Sequence, residues 1–297
     1  MCGIMGYYSF GKTIPDKDKI TNMFSLLESR GRDASGFAFI RDNNLIVNKA
    51  PIKSSEFVKT EDWKELTLPS SMILHTRMKT QGSEKNPANN HPLFSKNGIA
   101  IVHNGIIYND KEIFGKKQRD AEVDSESILH LLSMKMKGDR IKRLFDKVEG
   151  SFAVAMLDKY FPERLVLVKK DNPIDLYYDQ KDDILYFCSE REIMQEALSI
   201  EKTTVRGFNL GEKDFHFYEM HNNYALFINS EGVESYQKYY PSKSRWYDRS
   251  FHYRSTPEEM LIECPWCLAQ TTYYDGKLFN KCEVCGMGIN EQDLYVI

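Results

Sequence analysis

The sequence predicts an α+β protein in which helices cover β-sheets. Short β-rich runs separated by turn residues recur along the first three quarters of the chain, and only two or three segments with helical spacing interrupt them. The composition, with 41% hydrophobic and 28% charged residues, is that of a globular protein that can close a core. A length of 297 residues corresponds to about two domains, or to one large domain with an appendage.

The predicted strands are short and bounded by turn residues. They cover residues 35–40, 45–48, 72–75, 99–103, 151–157, 165–169 and 184–188. A first helix is predicted after Pro15 and Asp16, where apolar residues occupy positions 20, 23, 24 and 27. A second helix follows Asp124 and Ser125, which are suited to cap its N-terminus, and a third covers residues 190–198.

The composition also bears on where the protein works. The longest apolar runs, such as residues 152–157, are far shorter than the roughly 18 residues that a membrane-spanning helix needs. The first residues lack the basic stretch of a secretory signal, so we expect a cytoplasmic protein. A net charge of −3 provides no overall attraction to nucleic acid or to an anionic membrane.

Four of the six cysteines are crowded near the C-terminus as two Cys-x-x-Cys pairs. They are Cys264, Cys267, Cys282 and Cys285. In a cytoplasmic protein this spacing predicts a tetrahedral thiolate site for a structural zinc ion, with a hairpin over residues 271–279 between the pairs, as in a zinc ribbon. A redox pair and an iron–sulfur cluster are the alternatives. The short segment needs such a metal because it buries too little surface alone.

These patterns divide the chain into a main domain (residues 2–230), a basic and aromatic linker (231–258) and the zinc ribbon (259–297). From Lys238 to Arg254, five basic side chains alternate with six aromatic ones, and only Asp248 is acidic. Such a segment can bind single-stranded nucleic acid, pack on the main domain or dock an acidic partner. The acidic residues of the neighbouring ribbon argue against nucleic acid.

Cys2 is a candidate nucleophile. We expect Met1 to be removed, because aminopeptidases cleave before a small side chain, and removal would place the Cys2 thiol beside a free α-amine. Such an amine has a pKa of about 8 and can accept the thiol proton without a histidine. The alternative is that Cys2 is only a small buried residue.

Seven short motifs follow one another in a fixed order. They are CGI at 2–4, RGRDASG at 30–36, HTR at 75–77, NNHP at 89–92, HNGIIYN at 103–109, DSE at 124–126 and GSFA at 150–153. This series resembles the class II glutamine amidotransferases, which are N-terminal-nucleophile (Ntn) hydrolases, and the resemblance covers roughly residues 2–230. It implies a four-layer αββα sandwich and an enzyme that hydrolyses glutamine to glutamate and ammonia.

The resemblance also implies the catalytic residues. Cys2 would be the nucleophile that forms a thioester with the substrate. The side-chain amide of Asn104 and the backbone N–H of Gly105 would stabilise the oxyanion of the tetrahedral intermediate. The three histidines near the motifs, at positions 75, 91 and 103, are interpreted as structural, and Cys188 as a buried thiol of a strand.

The substrate-binding residues follow from the same resemblance. Arg77 would bind the α-carboxylate of glutamine, and Asp124 would bind its α-ammonium group. Arg30 would lie beside the nucleophile, and Thr80 would contribute to the substrate pocket. The sequence departs from the family at residues 78–79, where many relatives have an aromatic and a small residue before the threonine. The wall of the glutamine pocket is therefore expected to differ.

Three functions remain open at this stage. The first is a glutaminase subunit that passes ammonia to a separate acceptor or synthase enzyme docked on the linker and ribbon. It is favoured because the roughly 65 residues after the main domain are too few for a synthase and carry no nucleotide-binding loop. The second is a stand-alone amidase or γ-glutamyl hydrolase. The third is a non-catalytic interaction module in which the zinc ribbon is the functional part.

Overall fold

The computed structural model describes residues 1–135, 138–200 and 217–240, and, near the C-terminus, residues 259–263, 269–274, 280–281, 284 and 288–289. The chain divides into two compact units, Met1–Ser242 and Lys243–Ile297. Among the described residues, no helix is long and apolar enough to span a membrane.

The larger unit contains thirteen described strands and seven described α-helices. The strands are β1 (Gly3–Ser9), β2 (Ala34–Arg41), β3 (Asn44–Ala50), β4 (Ser71–Arg77), β5 (Leu93–Phe94), β6 (Ile99–Ile107), β7 (Gly150–Asp158), β8 (Leu165–Lys170), β9 (Asp175–Asp179), β10 (Ile184–Cys188), β11 (Phe217–Glu219), β12 (Tyr224–Asn229) and β13 (Gly232–Lys238). The helices are α1 (Lys17–Leu26), α2 (Ser54–Phe57), α3 (Glu61–Lys64), α4 (Asp110–Phe114), α5 (Ser125–Ser133), α6 (Arg140–Lys147) and α7 (Arg191–Ala197), with short 3-10 helices at Leu27–Arg30 and Pro87–Asn89.

These strands form two antiparallel sheets. The first has the order β11-β9-β10-β1-β4-β2-β3, and the second has the order β13-β12-β8-β7-β6-β5. Strand β1 is buried along its whole length because β4 and β10 pair with its two edges and side chains pack against both of its faces. The residue that precedes β1 is Cys2, so the candidate nucleophile lies at the end of a central, fully paired strand.

The core lies in three layers. Between the sheets, side chains of the first sheet such as Ile4 and Ile73 pack against those of the second, such as Val102 and Ala155. The outer face of the first sheet packs against α1, α2, α3 and α7, and the outer face of the second packs against α4, α5 and α6. The unit is therefore an α+β, four-layer αββα sandwich, as the resemblance implies.

All seven predicted strands and the three predicted helices are present. The main difference lies after residue 230, where the sequence analysis places the linker. Strand β13 pairs with β12 from Gly232 to Lys238 and so continues the second sheet, and the buried Tyr239 stacks on Phe145. Residues 232–239 therefore belong to the folded domain, because β13 pairs with β12 and Tyr239 packs on Phe145.

The smaller unit contains two short described hairpins. In the first, β14 (Glu259–Glu263) pairs with β15 (Gln270–Tyr274), and in the second, β16 (Asn280–Lys281) pairs with β17 (Gly288–Ile289). The four cysteines of the predicted zinc site and the turn at Asp275 and Gly276 lie outside the described residues. No group of metal-binding side chains occurs within the part of the chain that is described.

Candidate active site

Cys2 lies at the junction of the first sheet with the loop that follows β4. Gly3 pairs with Thr76, so Cys2 is beside the end of β4, and its thiol points to the carbonyl oxygen of Met78 at an Sγ–O distance of 3.6 Å. Burial raises the pKa of the Cys2 thiol, whereas the positive charges of the Met1 ammonium group and Arg77 lower it and the carboxylate of Asp124 raises it. Arg77 and Asp124 therefore both act electrostatically on the thiol.

Arg30 holds the backbone at Cys2. Its Nε donates a hydrogen bond to the carbonyl oxygen of Cys2 at 3.2 Å, and its Nη1 pairs with Glu190 at 2.5 Å. The following residue must be glycine, since a Cβ on Gly31 would lie 2.4 Å from the backbone carbon of Arg77. This close approach packs the end of the Leu27–Arg30 helix against the end of β4.

Arg77 is the last residue of β4, and its guanidinium group is buried. Within the described part of the chain, this group donates hydrogen bonds only to uncharged oxygen atoms. Nη1 donates to Oδ1 of Asn90 at 2.8 Å, and Nη2 donates to the carbonyl oxygens of Gln81 at 2.5 Å and Gly82 at 2.9 Å. The backbone of Arg77 is also fixed, because its carbonyl accepts a hydrogen bond from the N–H of Asp33 at 2.9 Å. A positive charge without a contacting carboxylate is suited to bind an anion.

Asp124 caps helix α5 and joins it to β6. Its Oδ1 accepts a hydrogen bond from the N–H of Ser125 at 2.8 Å, and its Oδ2 accepts one from the N–H of Ile107 at 2.7 Å. The capping role expected from the sequence is therefore present. The same carboxylate lies close enough to Cys2 to affect its thiol, so the cap does not exclude a role in binding substrate.

Asn104 and Gly105 lie near the end of β6, in the second sheet. The Nδ2 of Asn104 is buried and has no hydrogen-bond partner among the described residues, so this amide is available to a substrate oxyanion. Gly105 has φ +150°, and a Cβ there would lie 2.0 Å from the carbonyl oxygen of Ser151. The backbone at Gly105 can therefore approach its neighbours only because it has no side chain.

Three buried histidines lie close together, on β4, on the loop before β5 and on β6. His75 stacks on His91 with ring centroids 4.2 Å apart, and His91 lies 6.4 Å from His103. The Nε2 of His75 donates to the carbonyl oxygen of His103 at 2.9 Å, and the Nδ1 of His103 is 2.7 Å from the hydroxyl of Ser125. Burial lowers the pKa of all three, that of His75 to about 3, so the rings are neutral at pH 7.

The structure thus groups Cys2, Arg77 and Asp124, and it places Arg30 on the backbone of Cys2. Thr80 is exposed, on the loop between Arg77 and Gly82. Sequence reasoning assigned no role to two polar residues at the site, Asn90 and Glu190. Asn90 lies within the NNHP motif at 89–92, which was the available signal, and Glu190 was noted as the first residue of the third predicted helix. Cys188 is a buried strand thiol, and burial raises its pKa to about 12.

Comparison with known proteins identifies the domain. Residues 75–196 match the protein family described as "Glutamine amidotransferase domain". This match agrees with the resemblance to the class II glutamine amidotransferases that the sequence motifs indicate. The matched range includes Arg77, Asn104, Gly105 and Asp124, and Cys2 lies upstream of it.

Curated relatives of the amidotransferase domain include glutamine–fructose-6-phosphate aminotransferases (isomerizing). That of Aquifex aeolicus is 35% identical over 186 residues, which are 59% of this chain and 30% of the relative. That of Helicobacter pylori is 32% identical over 245 residues, which are 76% of this chain and 39% of the relative. The chain therefore spans about a third of the length of these relatives.

Solved structures share the fold of the amidotransferase domain. A glutamine phosphoribosylpyrophosphate amidotransferase from B. subtilis, complexed with ADP and GMP, aligns with a TM-score of 0.62 at 17% identity and covers 81% of this chain and 50% of its own. A structure described as the allosteric regulatory enzyme of purine biosynthesis aligns with a TM-score of 0.62 at 18% identity and the same coverage. At 17% and 18% sequence identity, these similarities show a shared fold and nothing more specific.

Proposed function

We propose that the protein is a glutaminase that hydrolyses the side-chain amide of glutamine through a thioester on Cys2. The observation that carries the proposal is the grouping of one thiol, one buried cation and one buried carboxylate. Cys2 lies beside the end of β4, where Arg77 is the last residue, and Asp124 acts on the charge of the Cys2 thiol, so we expect a ligand held by Arg77 and Asp124 to lie near the nucleophile. Free α-amino acids carry the complementary charges, a carboxylate and an ammonium group.

The reaction requires Cys2 to be the first residue. While Met1 is attached, the nitrogen of Cys2 is an amide that cannot accept a proton. After removal of Met1, the α-amine takes the thiol proton and the sulfur attacks the δ-carbon of glutamine. The oxyanion receives hydrogen bonds from Nδ2 of Asn104 and from the N–H of Gly105. The proton passes from the α-amine to the leaving nitrogen, and ammonia departs.

Hydrolysis of the thioester completes the cycle. The same α-amine takes a proton from water, whose oxygen attacks the thioester carbon, and the second tetrahedral intermediate uses the same two donors. The carbon–sulfur bond breaks, glutamate leaves and the thiol is restored. Each cycle converts glutamine and water to glutamate and ammonia, and no external oxidant or reductant is needed.

The proposal includes transfer of the ammonia to a separate acceptor enzyme. Two exposed apolar side chains, Ile106 and Tyr108, follow directly after Asn104 and Gly105 and are 51% and 73% exposed. A partner that covers the site and receives its product would contact these two side chains.

A second candidate is an amidase that acts on another γ-glutamyl amide. It is favoured by the loop after Arg77, where Met78 and Thr80 are exposed and Lys79 pairs with Glu84 at 2.9 Å. An open loop of this kind can admit an amide with a bulky substituent on its nitrogen. A purified chain that ignores glutamine but cleaves γ-glutamyl anilide would establish this candidate.

Release of glutamate and ammonia from glutamine tests the main proposal. We expect turnover by protein from which Met1 has been removed, and none by a Cys2→Ala variant or by protein that retains Met1. Asparagine, which has the same two charged groups but a shorter side chain, is the matched control substrate and should be hydrolysed poorly. Equal glutamate release by wild type and Cys2→Ala would reject the proposal.

A further inference from the structure

A cavity lies between strands β3 and β5 and helices α4 and α5. It has a volume of about 450 Å³, and its walls include Lys49 on β3, Phe94 on β5, Phe114 at the end of α4 and Leu129 on α5. None of the residues assigned to catalysis or to glutamine lines it. Its volume lies within the range of roughly 300–1,000 Å³ that is typical of small-molecule sites.

Lys49 brings an unpaired positive charge to this cavity. Its Nζ donates to the carbonyl oxygens of Asn90 at 2.6 Å and Pro92 at 3.0 Å, and it lies 5.3 Å from the ring centroid of Phe94. No carboxylate in the described part of the chain contacts it, and the charged group that acts on it is another cation, Arg77. A desolvated ammonium group is normally paired with an anion, so the missing partner is a ligand.

The remaining walls combine apolar side chains with the carboxylates of Asp120 and Glu126 and the basic side chains of Lys96 and His130. Glu126 pairs with Arg119 at 3.1 Å and accepts a hydrogen bond from the N–H of Asp120 at 2.6 Å. The hydroxyl of Ser133 is buried and lacks a hydrogen-bond partner within the described residues. A ligand would therefore meet an apolar surface, one free hydroxyl, the ammonium groups of Lys49 and Lys96 and the carboxylate of Asp120.

We propose that this cavity binds a small organic anion whose carboxylate or phosphate pairs with Lys49 and whose apolar part contacts Leu129 and Phe114. The site is separate from the glutamine site but connected to it. Asn90 joins the two, because its backbone oxygen binds Lys49 and its side-chain oxygen binds Arg77 at 2.8 Å.

The connection gives the ligand a regulatory effect, and this step rests on the proposed glutaminase function. An anion at Lys49 offsets the positive potential that attracts the glutamine carboxylate to Arg77, and it competes for the hydrogen bond between Lys49 and Asn90. Binding of the anion therefore weakens binding of glutamine, and glutamine weakens binding of the anion by the same factor.

Direct binding in the absence of glutamine tests the site. The probe is phenylbutyrate, measured by titration calorimetry, with phenylbutanol and phenylbutylamine as neutral and cationic analogues of the same shape. We expect phenylbutyrate to bind wild type about tenfold more tightly than either analogue, and Lys49→Gln to reduce its affinity by about tenfold or more. Lys181→Gln removes an exposed lysine outside the cavity and should leave the affinity unchanged.

A second variant, Ala121→Phe, fills the cavity without changing its charge and should also reduce binding. Thermal unfolding of each variant checks that it is folded. Absence of phenylbutyrate binding to wild type, equal binding to Lys49→Gln, or equal affinity for phenylbutylamine overturns the site.

The regulatory effect has its own measurement. Saturating phenylbutyrate should raise the KM for glutamine in wild type and should have little effect in Lys49→Gln. An unchanged KM in wild type overturns the coupling. If the protein binds phenylbutyrate through Lys49 but does not hydrolyse glutamine, the glutaminase proposal fails and the cavity site stands. If glutamine is hydrolysed but no anion binds, the cavity proposal fails alone.

Discussion

The chemistry at Cys2 depends on the burial of its thiol and on the charges of two neighbouring side chains. Burial disfavours the thiolate, and Asp124 adds to that effect, while Arg77 opposes it. A thiol that stays protonated in the free enzyme needs a base only when the substrate is bound. An α-amine on the same residue meets that need, because it moves with the sulfur and requires no further side chain.

A conservative change at Asp124 should separate the binding of glutamine from the chemical step. Asp124→Asn removes the charge that would bind the α-ammonium group but keeps a good helix cap, so the domain should stay folded. We expect the KM for glutamine to rise by about tenfold to a hundredfold, with a smaller change in kcat, because charge-assisted pairs contribute about 1.5–3 kcal/mol. Steady-state kinetics measures both values.

Asp139 provides the matched control for this change. It caps α6 by accepting hydrogen bonds from the N–H of Ile141 at 2.7 Å and of Lys142 at 3.1 Å, and it takes no part in the candidate site. Asp139→Asn should leave the KM for glutamine unchanged. A similar KM for both variants and for wild type would mean that Asp124 does not bind substrate.

Residues within one motif could be assigned from the sequence, whereas contacts between distant segments could not. Cys2, Arg77 and Asp124 each belong to a recognisable motif. The pairing of Arg30 with Glu190 joins residues 160 positions apart, and no local pattern indicates it. The same holds for the hydrogen bond from His75 to His103, because spacing along a chain does not reveal which side chains meet between two sheets.

At the scale of elements, the candidate site is assembled from two sheets. Strands β1 and β4 of the first sheet carry Cys2 and Arg77 at their ends, and β6 of the second carries Asn104. The hydrogen bond from Nε2 of His75 to the carbonyl oxygen of His103 crosses between β4 and β6. Because that carbonyl belongs to the peptide that precedes Asn104, the bond helps to fix the oxyanion donor relative to the nucleophile.

Loss of this bond should slow the chemical step. We expect His75→Phe to reduce kcat by about tenfold to a hundredfold, because small misplacements of a catalytic group have effects of that size, and to change KM less. His75→Gln retains an N–H donor at a similar distance and should recover part of the rate. A His75→Phe protein that is folded and has the wild-type kcat would contradict a positioning role.

Several of the elements that the sequence analysis did not predict have weak local signals. Strand β1 contains two glycines, which lower its β-propensity, although its burial is complete. Helices α2 and α3 have only four residues each and show no periodicity. Strand β13 is an edge strand with half-buried and exposed side chains, so its alternation is weak. In each case tertiary packing, rather than local preference, determines the structure.

At the scale of the whole molecule, the three buried histidines should make the fold sensitive to acid. The unfolded chain protonates its histidines near pH 6.5, whereas the folded protein keeps His75 neutral down to about pH 3. As the pH falls below about 6.5 the unfolded state therefore binds more protons than the folded state, and the free energy of unfolding decreases. Denaturant unfolding at pH 7.5 and pH 5 measures the loss.

A His75→Leu variant removes one of the groups responsible, so its stability should depend less steeply on pH over the same interval. The quantity compared is the change in the free energy of unfolding between pH 7.5 and pH 5. The absolute free energy of unfolding is not compared, because the substitution also changes packing. Equal slopes for the variant and wild type would show that His75 is not kept neutral by the fold.

The C-terminal cysteines lead to a prediction about metal content. We propose that Cys264, Cys267, Cys282 and Cys285 bind one structural zinc ion with no open coordination position. Elemental analysis should find zinc in wild type and in Cys188→Ala, and none after Cys264 and Cys267 are both replaced by serine. Chelation should leave glutamate release intact, because the proposed catalytic residues all lie upstream of the cysteine pairs. Iron, or no metal, in the wild-type protein would contradict the assignment.

The central claim, that Cys2 carries the acyl group of glutamine, can be tested by trapping the intermediate. Protein without Met1 is mixed with carbon-13-labelled glutamine, quenched in acid during turnover, digested and analysed by mass spectrometry. The account predicts a labelled glutamyl thioester on the N-terminal peptide that begins with Cys2, and none in Cys2→Ala. Glutamate production with no label on that peptide, or a label that persists in Cys2→Ala, would contradict it.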